Sequence, residues 1–297
     1  MTIRDILRKN YLEYKLSPLD AGILLSLAGN FSKEFILAHP EKKLSVVQIK
    51  KMDSFCARRA SGEPIAYIAG KKEFFGLEFL VNKNVLIPRP ETELLVEGAI
   101  ERIKKFPDKL DIIDIGTGSG NIIISIAKNI PEKIRRNKDF YAIDISKASL
   151  QVAKKNAEKN KVEKKIKFIQ SDMLEYFFPP KADQSLVEKR KTKPENVFII
   201  ANLPYVSPAL YRRNEKNLKF EPKSALHSRN KGLAHYDKMF QQLRSSITGK
   251  CCLLIEFSPE QKPDIGRISK KYWPKSKVKF SMDLAKKWRM AEIRISS

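Results

Sequence analysis

LDIIDIGTGSGNIIISIAKN, residues 110–129, is the stretch of sequence that decides the fold of this chain. The run Leu110–Ile115 is almost continuously apolar, which predicts a strand buried on both faces of a parallel sheet. Three glycines follow at once within Gly116–Gly120, and the apolar segment Asn121–Asn129 predicts a helix. Glycines at a strand-to-helix turn allow the backbone to approach a ligand closely. The segment therefore predicts an open α/β sheet that binds a ligand at the carboxyl ends of its strands.

The next predicted strand, Asp139–Ile143, ends in an acid that indicates the class of ligand. Asp144 follows Gly120 by 144 − 120 = 24 residues, and an acid at this place accepts hydrogen bonds from ribose hydroxyls. The G-x-G-x-G spacing favours a nucleoside ligand without phosphates. Asp114, just before the glycines, would repel a phosphate and favour a cation. S-adenosylmethionine combines a ribose, an adenine, a sulfonium and an ammonium, and it fits this pattern.

A third predicted strand, Ile166–Gln170, also ends in polar residues. By the same topological argument, we expect Asp172 to accept a hydrogen bond from the adenine amino group and Met173 to pack on the ring. The alternative is that both residues only cap the strand, and the sequence leaves this alternative open.

The stretch VFIIANLPYVSP, residues 197–208, predicts a buried strand that runs directly into a substrate clamp. Asn202 offers one carbonyl acceptor and two N–H donors. Pro204 fixes the backbone and removes a donor, and Tyr205 adds a flat face for stacking. This arrangement suits a planar, nitrogen-bearing group such as an amide or a nucleobase amine. Asn and Pro are also ordinary residues for a plain strand-to-turn junction, which is the alternative.

The remaining sequence divides into three parts. Residues 1–72 predict a small helical domain, with start signals at Ser17-Pro18 and Ser45-Val46-Val47-Gln48. Residues 73–93 predict a β-hairpin, with its turn at Asn82–Asn84, and a stiff linker that ends in Pro-Arg-Pro-Glu-Thr-Glu. Residues 94–297 predict the α/β domain. Within it, the polar segment between Phe178 and Asn196 is expected to be an exposed insertion, and we assign it no function.

Composition narrows the class of protein further. The chain has 297 residues, of which 42% are hydrophobic, and it has no apolar run near the roughly 18 residues that a membrane helix needs. No N-terminal targeting pattern is present, so a cytoplasmic location is expected. Cys56, Cys251 and Cys252 are expected to be reduced core residues, because no C-x-x-C spacing occurs and no metal site is predicted.

The net charge of +24 has two explanations. A strongly basic protein often binds an acidic partner such as RNA, or works close to one. The 58 basic residues include 16 Arg and therefore 42 Lys, and a lysine-rich proteome would give the same excess. The sequence does not decide between these explanations.

Taken together, these motifs resemble the HemK/PrmC family, the glutamine N5-methyltransferases of peptide chain release factors. The resemblance covers nearly the whole chain, and the Pro-Arg-Pro-Glu-Thr-Glu segment is its most specific part. The matching segments are Glu63–Gly70, Glu73–Leu77, Leu86–Glu93, Asp114–Gly120, Asp144–Ser146, Asn202–Tyr205, Phe220–Pro222 and Ala225-Leu226.

The resemblance implies a Rossmann-like, seven-stranded class I methyltransferase domain behind an N-terminal helical domain that docks the release factor. It also implies S-adenosylmethionine as methyl donor and the glutamine of the factor's Gly-Gly-Gln loop as acceptor. Because no segment of the sequence calls for a partner chain, we expect a monomer. The implied cofactor residues are Asp114, Gly116, Thr117, Gly118, Ser119, Gly120, Asp144, Asp172, Met173 and Asn202. The implied substrate residues are Asn202, Leu203, Pro204, Tyr205, Arg89 and Glu91, of which Asn202, Pro204 and Tyr205 are the expected catalytic residues.

The sequence departs from the family pattern at three places. Leu203 stands where the family usually has proline, and residues 227–231 lack the usual Gly-Gly and acidic residue. Glu256-Phe257-Ser258 replaces the commoner Glu-Ile-Gly. The departures at Leu203 and at residues 227–231 bear on how a substrate docks.

Two other functions compete with this interpretation. Asn-Leu-Pro-Tyr also resembles the clamp of ribosomal-RNA adenine dimethylases, so an RNA adenine N6-methyltransferase is the first alternative, and the basic charge suits it. A non-catalytic RNA- or ribosome-binding protein on a methyltransferase fold is the second. The Pro-Arg-Pro-Glu-Thr-Glu segment argues against the first, and the intact Gly116–Gly120 loop, Asp144 and Asn202 argue against the second.

Overall fold

A computed structural model describes residues 1–106, 109–178, 195–208, 211–212, 218–244 and 249–295. The chain divides into two compact units, Met1–Lys72 with Lys216–Phe220, and Glu73–Glu215 with Glu221–Ser297. Most of the polar segment predicted as an insertion, residues 179–194, lies outside the described residues.

The first unit is helical, as its start signals predict. Its helices are α1 (Ile3–Tyr14), α2 (Pro18–Gly29), α3 (Lys33–Ala38), α4 (Val46–Ala60) and α5 (Ile65–Ala69). Ser17 and Ser45 accept backbone N–H bonds at the N-termini of α2 and α4, and Ser45 forms the predicted capping box with Gln48. Apolar side chains such as Leu24, Leu25 and Met52 are fully buried in the core of this unit.

A two-stranded hairpin of β1 (Lys71–Phe74) and β2 (Leu77–Leu80) follows. The turn predicted at Asn82–Asn84 is wrong, because the hairpin turns at Phe75 and Gly76, whose φ angles are 51° and 69°. A two-residue hairpin turn with positive φ at both positions matches the twist of the strands, but it rarely contains an aromatic residue. The polar residues at 82–84 form a later turn, in which Asn82 Oδ1 accepts from the Asn84 amide.

The second unit is built on a mixed sheet, which has seven strands among the described residues. The strands are β3 (Leu110–Ile115), β4 (Lys138–Asp144), β5 (Ile166–Gln170), β6 (Val197–Ala201), β7 (Cys251–Glu256), β8 (Lys277–Met282) and β9 (Trp288–Ile295), in the order β5-β4-β3-β6-β7-β9-β8. β3 to β7 are parallel, and β9 runs antiparallel to β7 and β8. The prediction of a seven-stranded α/β fold is confirmed.

Helices cover both faces of this sheet. The described helices of the second unit are α6 (Glu93–Ile103), α7 (Asn121–Asn129), α8 (Glu132–Arg135), α9 (Lys147–Lys159), α10 (Lys223–Leu226), a short helical turn at Arg229–Gly232, α11 (Ala234–Arg244) and α12 (Lys262–Tyr272). One buried cluster contains residues of α6 and α7 on one face, and a second contains residues of α11 and α12 on the other. Because both faces are covered, β3, β6 and β7 are apolar along nearly their whole length.

Strand register places the predicted site residues at one edge. Ile115 of β3 pairs with Ile143 of β4 and with Ala201 of β6, so that the residues after each strand lie side by side. Ala201 pairs in turn with Ile255 of β7, which brings Glu256 beside Asn202.

Three further observations concern the described residues. The three cysteines are free and buried, as the sequence predicts. Among these residues no group of His, Cys, Asp and Glu side chains is arranged to hold a metal ion. No helix in the described part of the chain has both the length and the apolar character needed to cross a bilayer.

Candidate active site

A cleft of about 290 Å³ opens at the carboxyl edge of β3, β4, β5 and β6, entirely within the second unit. This is the place where open α/β sheets bind ligands, and its volume is close to the lower end of the range for small-molecule sites. The predicted site residues that line it are Arg89, Gly116, Thr117, Gly118, Ser119, Asp144, Asp172, Met173, Asn202, Leu203 and Pro204.

The glycine loop forms the floor of the cleft. Gly116 and Gly118 adopt φ angles of +70° and +54°, which glycine tolerates and other residues rarely adopt. A Cβ built on Gly118 would have only the Gly116 carbonyl oxygen near it, at 3.9 Å, so open space lies above this residue. The loop therefore leaves room for a ligand against its backbone.

Asp114 lies beneath this loop and has no exposed surface. Its Oδ2 accepts from the Thr117 hydroxyl at 2.7 Å, whereas its Oδ1 has no partner among the described residues. Burial raises the pKa of Asp114 to about 7, and the Asp144 carboxylate adds to the increase. Asp114 is thus placed to shape the loop from below and does not line the cleft.

Asp144 lies at the end of β4 with its carboxylate fixed in the cleft. Oδ2 accepts from the Gly118 amide at 2.9 Å, and Oδ1 accepts from the Ser146 amide at 2.8 Å. Burial raises the pKa of this carboxyl, and the two amide donors oppose the rise. A carboxylate has about four lone-pair sites, so two remain for a ligand with paired hydroxyls.

Asp172 and Met173 line the cleft beyond the end of β5. Lys238 of α11 donates to Asp172 Oδ2 at 2.6 Å and forms an ion pair with Glu175 at 3.2 Å. Met173 has φ +53°, which is uncommon for a residue other than glycine and is concentrated at functional sites. A lysine beside Asp172 was not predicted from the sequence.

The clamp residues form a chain of hydrogen bonds that ends on a buried acid. Asn202 Nδ2 donates to Thr92 Oγ1 at 3.0 Å, and the Thr92 hydroxyl donates to Glu256 Oε2 at 2.7 Å. The Tyr205 hydroxyl donates to Glu256 Oε1 at 3.0 Å, and the Tyr236 hydroxyl donates to the Glu256 carbonyl. Burial raises the pKa of Glu256, and the donors oppose the rise. Tyr205 does not line the cleft, since it reaches inward to Glu256.

The backbone of the clamp is held from the opposite side. His235 Nδ1 lies 3.3 Å from the Pro204 carbonyl oxygen and 3.0 Å from Ser228 Oγ. A carbonyl oxygen only accepts, which assigns the proton to Nδ1. Burial lowers the pKa of His235, so its neutral form is favoured. Gln261 Nε2 donates to the Tyr205 carbonyl at 3.2 Å.

The two linker residues predicted at the site have different surroundings. Arg89 lines the cleft and forms an ion pair with Glu221, whose side chain is 2% exposed. Glu221 Oε2 also accepts from the Ile87 amide at 3.2 Å, so the same carboxylate fixes the linker. Glu91 is exposed and does not line the cleft.

The structure thus brings most of the predicted residues together and adds others. Asp114, Gly120, Tyr205 and Glu91 lie outside the cleft lining, and the roles assigned to all the site residues stay predictions. Sequence reasoning missed Lys238 and His235, which no local pattern distinguishes on α11. It also missed the part played by Glu256, although an acid at the end of an apolar strand is a detectable signal.

Each of the two units contains a segment that matches a known protein domain. Residues 3–70 match the PrmC N-terminal domain, and residues 107–243 match a methyltransferase domain. The release factor glutamine methyltransferase of Buchnera aphidicola is 34% identical over 92% of this chain and 91% of its own length. The Escherichia coli release factor glutamine methyltransferase is 32% identical over 82% of this chain and 79% of its own length.

Solved structures agree on the fold. The catalytic domain of hMettl16 superposes with a TM-score of 0.52 over 81% of this chain and 80% of that chain, at 16% sequence identity. Identity at this level shows the fold alone, whereas the family rests on the sequence matches. The resemblance inferred from the motifs is confirmed, and the chain belongs to the family of release factor glutamine methyltransferases.

Proposed function

We propose that this protein transfers a methyl group from S-adenosylmethionine to the side-chain amide nitrogen of the glutamine in a release factor's Gly-Gly-Gln motif. The observation that carries the proposal is the position of Asn202 at the end of β6, in one cleft with the glycine loop and Asp144. Family membership supports the class of substrate, and the cleft supports the chemistry.

The residues of the cleft fit S-adenosylmethionine. The open space over Gly118 admits a ligand against the backbone, and the free lone pairs of Asp144 suit the two hydroxyls of a ribose. Asp172 and Met173 lie on the adjoining wall, where we place the adenine. When bound, this cofactor supplies an electrophilic methyl group on a sulfonium.

The contribution of the protein is to orient the acceptor. A carboxamide nitrogen is a poor nucleophile because its lone pair is delocalised into the carbonyl, so alignment matters more than general-base chemistry. Asn202 Nδ2 is bound to Thr92, which leaves Oδ1 to accept one N–H of the substrate amide. The Pro204 carbonyl oxygen already accepts one hydrogen bond from His235 and has a second lone pair left. We assign the second substrate N–H to the backbone carbonyl of Leu203 or Pro204.

Leu203 itself does not weaken this assignment. The leucine side chain is 2% exposed and packs in the core against Gly116, where an added Cβ would lie 3.2 Å from Leu203 Cδ2. A backbone carbonyl serves as the acceptor, so replacement of the family's proline by leucine keeps the required group.

The contacts of Tyr205 do not favour the role predicted from the sequence, which was stacking on the substrate amide. Its hydroxyl is bound to Glu256 and its ring packs with the second core cluster. We propose that Tyr205 anchors the clamp and does not cover the substrate. A release factor works on the ribosome, so the proposal places this enzyme in the cytoplasm, as the sequence predicts.

The test is methyl transfer from labelled S-adenosylmethionine to purified release factor, with ribosomal RNA offered in parallel. We expect label on the factor and none on a factor whose Gly-Gly-Gln glutamine is replaced by alanine. Asn202→Ala should abolish turnover while cofactor affinity, measured by calorimetry, changes little. Label on RNA alone would replace this proposal with the RNA adenine alternative.

A further inference from the structure

We propose that Thr92 and Glu256 are positioning residues, which set the orientation of the Asn202 amide. They do so through a hydrogen-bond relay, in which the Asn202 amide donates to the Thr92 hydroxyl and this hydroxyl donates to Glu256. This inference rests on the proposed function and deepens it, since it names the groups that determine which end of Asn202 faces the substrate. Neither residue lies among the predicted site residues.

The relay begins at Glu256, whose side chain is buried at the end of β7. An ionised carboxylate only accepts hydrogen bonds. The Thr92 hydroxyl lies 2.7 Å from Oε2 and donates its single proton to Glu256. The hydroxyl then has only lone pairs to offer to its other neighbour.

Asn202 is that neighbour. Its amide could be placed with either the oxygen or the nitrogen toward Thr92, because the two ends have nearly the same shape. With the Thr92 proton committed to Glu256, only the nitrogen end can bond, and Nδ2 donates at 3.0 Å. The oxygen end is thereby directed to the other side, where an acceptor for the substrate N–H is required.

The same carboxylate holds the far end of the clamp. Glu256 Oε1 accepts from the Tyr205 hydroxyl at 3.0 Å, so one buried group fixes both Asn202 and Tyr205. Burial raises the pKa of Glu256, whereas the hydrogen bonds from Thr92 and Tyr205 lower it, as does the nearby Arg289. Strand register explains why the acid stands there, because Ile255 pairs with Ala201 and Glu256 follows directly.

The Thr92 hydroxyl can bond to Asn202 and Glu256 because it makes no capping hydrogen bond to the helix that follows it. Thr92 occupies the N-cap position of α6, but its side chain makes no capping hydrogen bond. A buried hydroxyl at a helix start usually bonds to the backbone of that helix. At this position it bonds to side chains 110 and 164 residues away in the sequence.

Two substitutions at Thr92 separate positioning from packing. Thr92→Val keeps the shape and removes the relay, whereas Thr92→Ser keeps the hydroxyl and removes a methyl group. We expect kcat for methyl transfer to fall about 100-fold in Thr92→Val, the cost of a misplaced reacting group, with the cofactor dissociation constant within about twofold of wild type. Thr92→Ser should keep kcat within about fivefold of wild type, because its hydroxyl can still relay.

Glu256→Gln tests the other end of the relay. In this variant, the glutamine can turn its amide nitrogen toward Thr92, so that the Thr92 hydroxyl accepts a hydrogen bond from it. The hydroxyl proton is then free to be donated to Asn202 Oδ1, which would turn the amide oxygen of Asn202 toward Thr92. The loss in kcat should resemble that of Thr92→Val, and the double variant should lose little more than either single one. Ser125→Ala is the control, since Ser125 is fully buried in α7 and its hydroxyl has no hydrogen-bond partner in the described part of the chain. We expect this control to keep full activity.

A readout without substrate keeps this proposal separate from the proposed function. In protein labelled with ¹⁵N at asparagine, the Asn202 side-chain amide should exchange with solvent faster in Thr92→Val than in wild type and in Ser125→Ala. Equal exchange in Thr92→Val and wild type would refute the relay, as would equal losses in Thr92→Ser and Thr92→Val. If wild-type protein labels no release factor but Thr92→Val still changes the amide signal, the proposed function fails and the relay stands.

Discussion

Replacing Asp114 by asparagine should change how the stability of the methyltransferase unit depends on pH. The Asp114 carboxyl is completely buried beneath the glycine loop, and its only hydrogen-bond partner among the described side chains is Thr117. Its pKa is raised from the ordinary 3.8 to about 7. Ionising the group in the folded protein is therefore unfavourable.

The sign and size of the effect follow from linkage. Between the two pKa values the folded state holds a proton that the unfolded state has released, so the free energy of unfolding falls as pH rises. The shift of 7 − 3.8 = 3.2 units corresponds to about 4 kcal/mol in total. Between about pH 5 and pH 8, the contribution of Asp114 to the free energy of unfolding should fall by about 2.5 kcal/mol, and above this interval it should level off.

Asp114→Asn has no such proton to lose. The free energy of unfolding of the wild type minus that of the variant should therefore decrease by about 2.5 kcal/mol over this pH interval. Taking the difference cancels the contribution of Glu256, whose carboxyl pKa is also raised. The absolute stability of the variant does not enter the test.

The assay is urea unfolding followed by tryptophan fluorescence. The chain has two tryptophans, Trp273 and Trp288, and both belong to the second unit. The signal therefore follows the unit that contains Asp114. A difference that stays constant within about 0.5 kcal/mol from pH 5 to pH 8 would show that Asp114 is ionised throughout, and the argument for its buried protonated form would fail.

Other predictions follow from single contacts. Gly232→Ala should lower both stability and methyl transfer, because its Cβ would lie 2.1 Å from the Tyr205 carbonyl oxygen at φ +87°; fluorescence melting and the transfer assay measure the two effects. Gly22→Ala is the matched control: a Cβ there meets nothing within 4 Å inside α2, and we expect a gain of roughly 0.5–1 kcal/mol by urea unfolding followed by circular dichroism. Asp144→Asn should weaken S-adenosylmethionine binding about 10- to 100-fold in calorimetry, as expected for losing bonds to a charged acceptor; unchanged affinity would remove Asp144 from the cofactor site. Ser125→Ala should stabilise the second unit by about 1 kcal/mol in urea unfolding, because a buried hydroxyl without a partner is costly.

The strands of the sheet were predictable because their signals are local and redundant. The bounds of β3, β5 and α7 agree with the sequence predictions residue for residue. A strand covered on both faces must be apolar along its length, and a glycine loop between strand and helix fixes the direction of the chain. The class of fold therefore required no long-range information.

The hairpin turn shows where local signals mislead. Asn82–Asn84 carries the residues that turns prefer, whereas the turn that closes the hairpin contains Phe75 at φ 51°. Two contacts compensate for the unfavourable residue, because the Phe75 amide donates to Glu93 Oε1 and the Leu80 amide donates to Asn156 Oδ1. A turn prediction that uses only neighbouring residues cannot detect partners that lie 18 and 76 residues away in the sequence.

The clamp shows the same limit at the site itself. The sequence identifies Asn202 because it follows an apolar strand, but it cannot say which end of its amide is free. That choice depends on Thr92, which local rules assign to helix capping, and on Glu256 at the end of β7. These three side chains meet only because strand register and the start of α6 bring them together. Residues that touch the substrate can thus be recognised from a motif, whereas the residues that orient them depend on the fold.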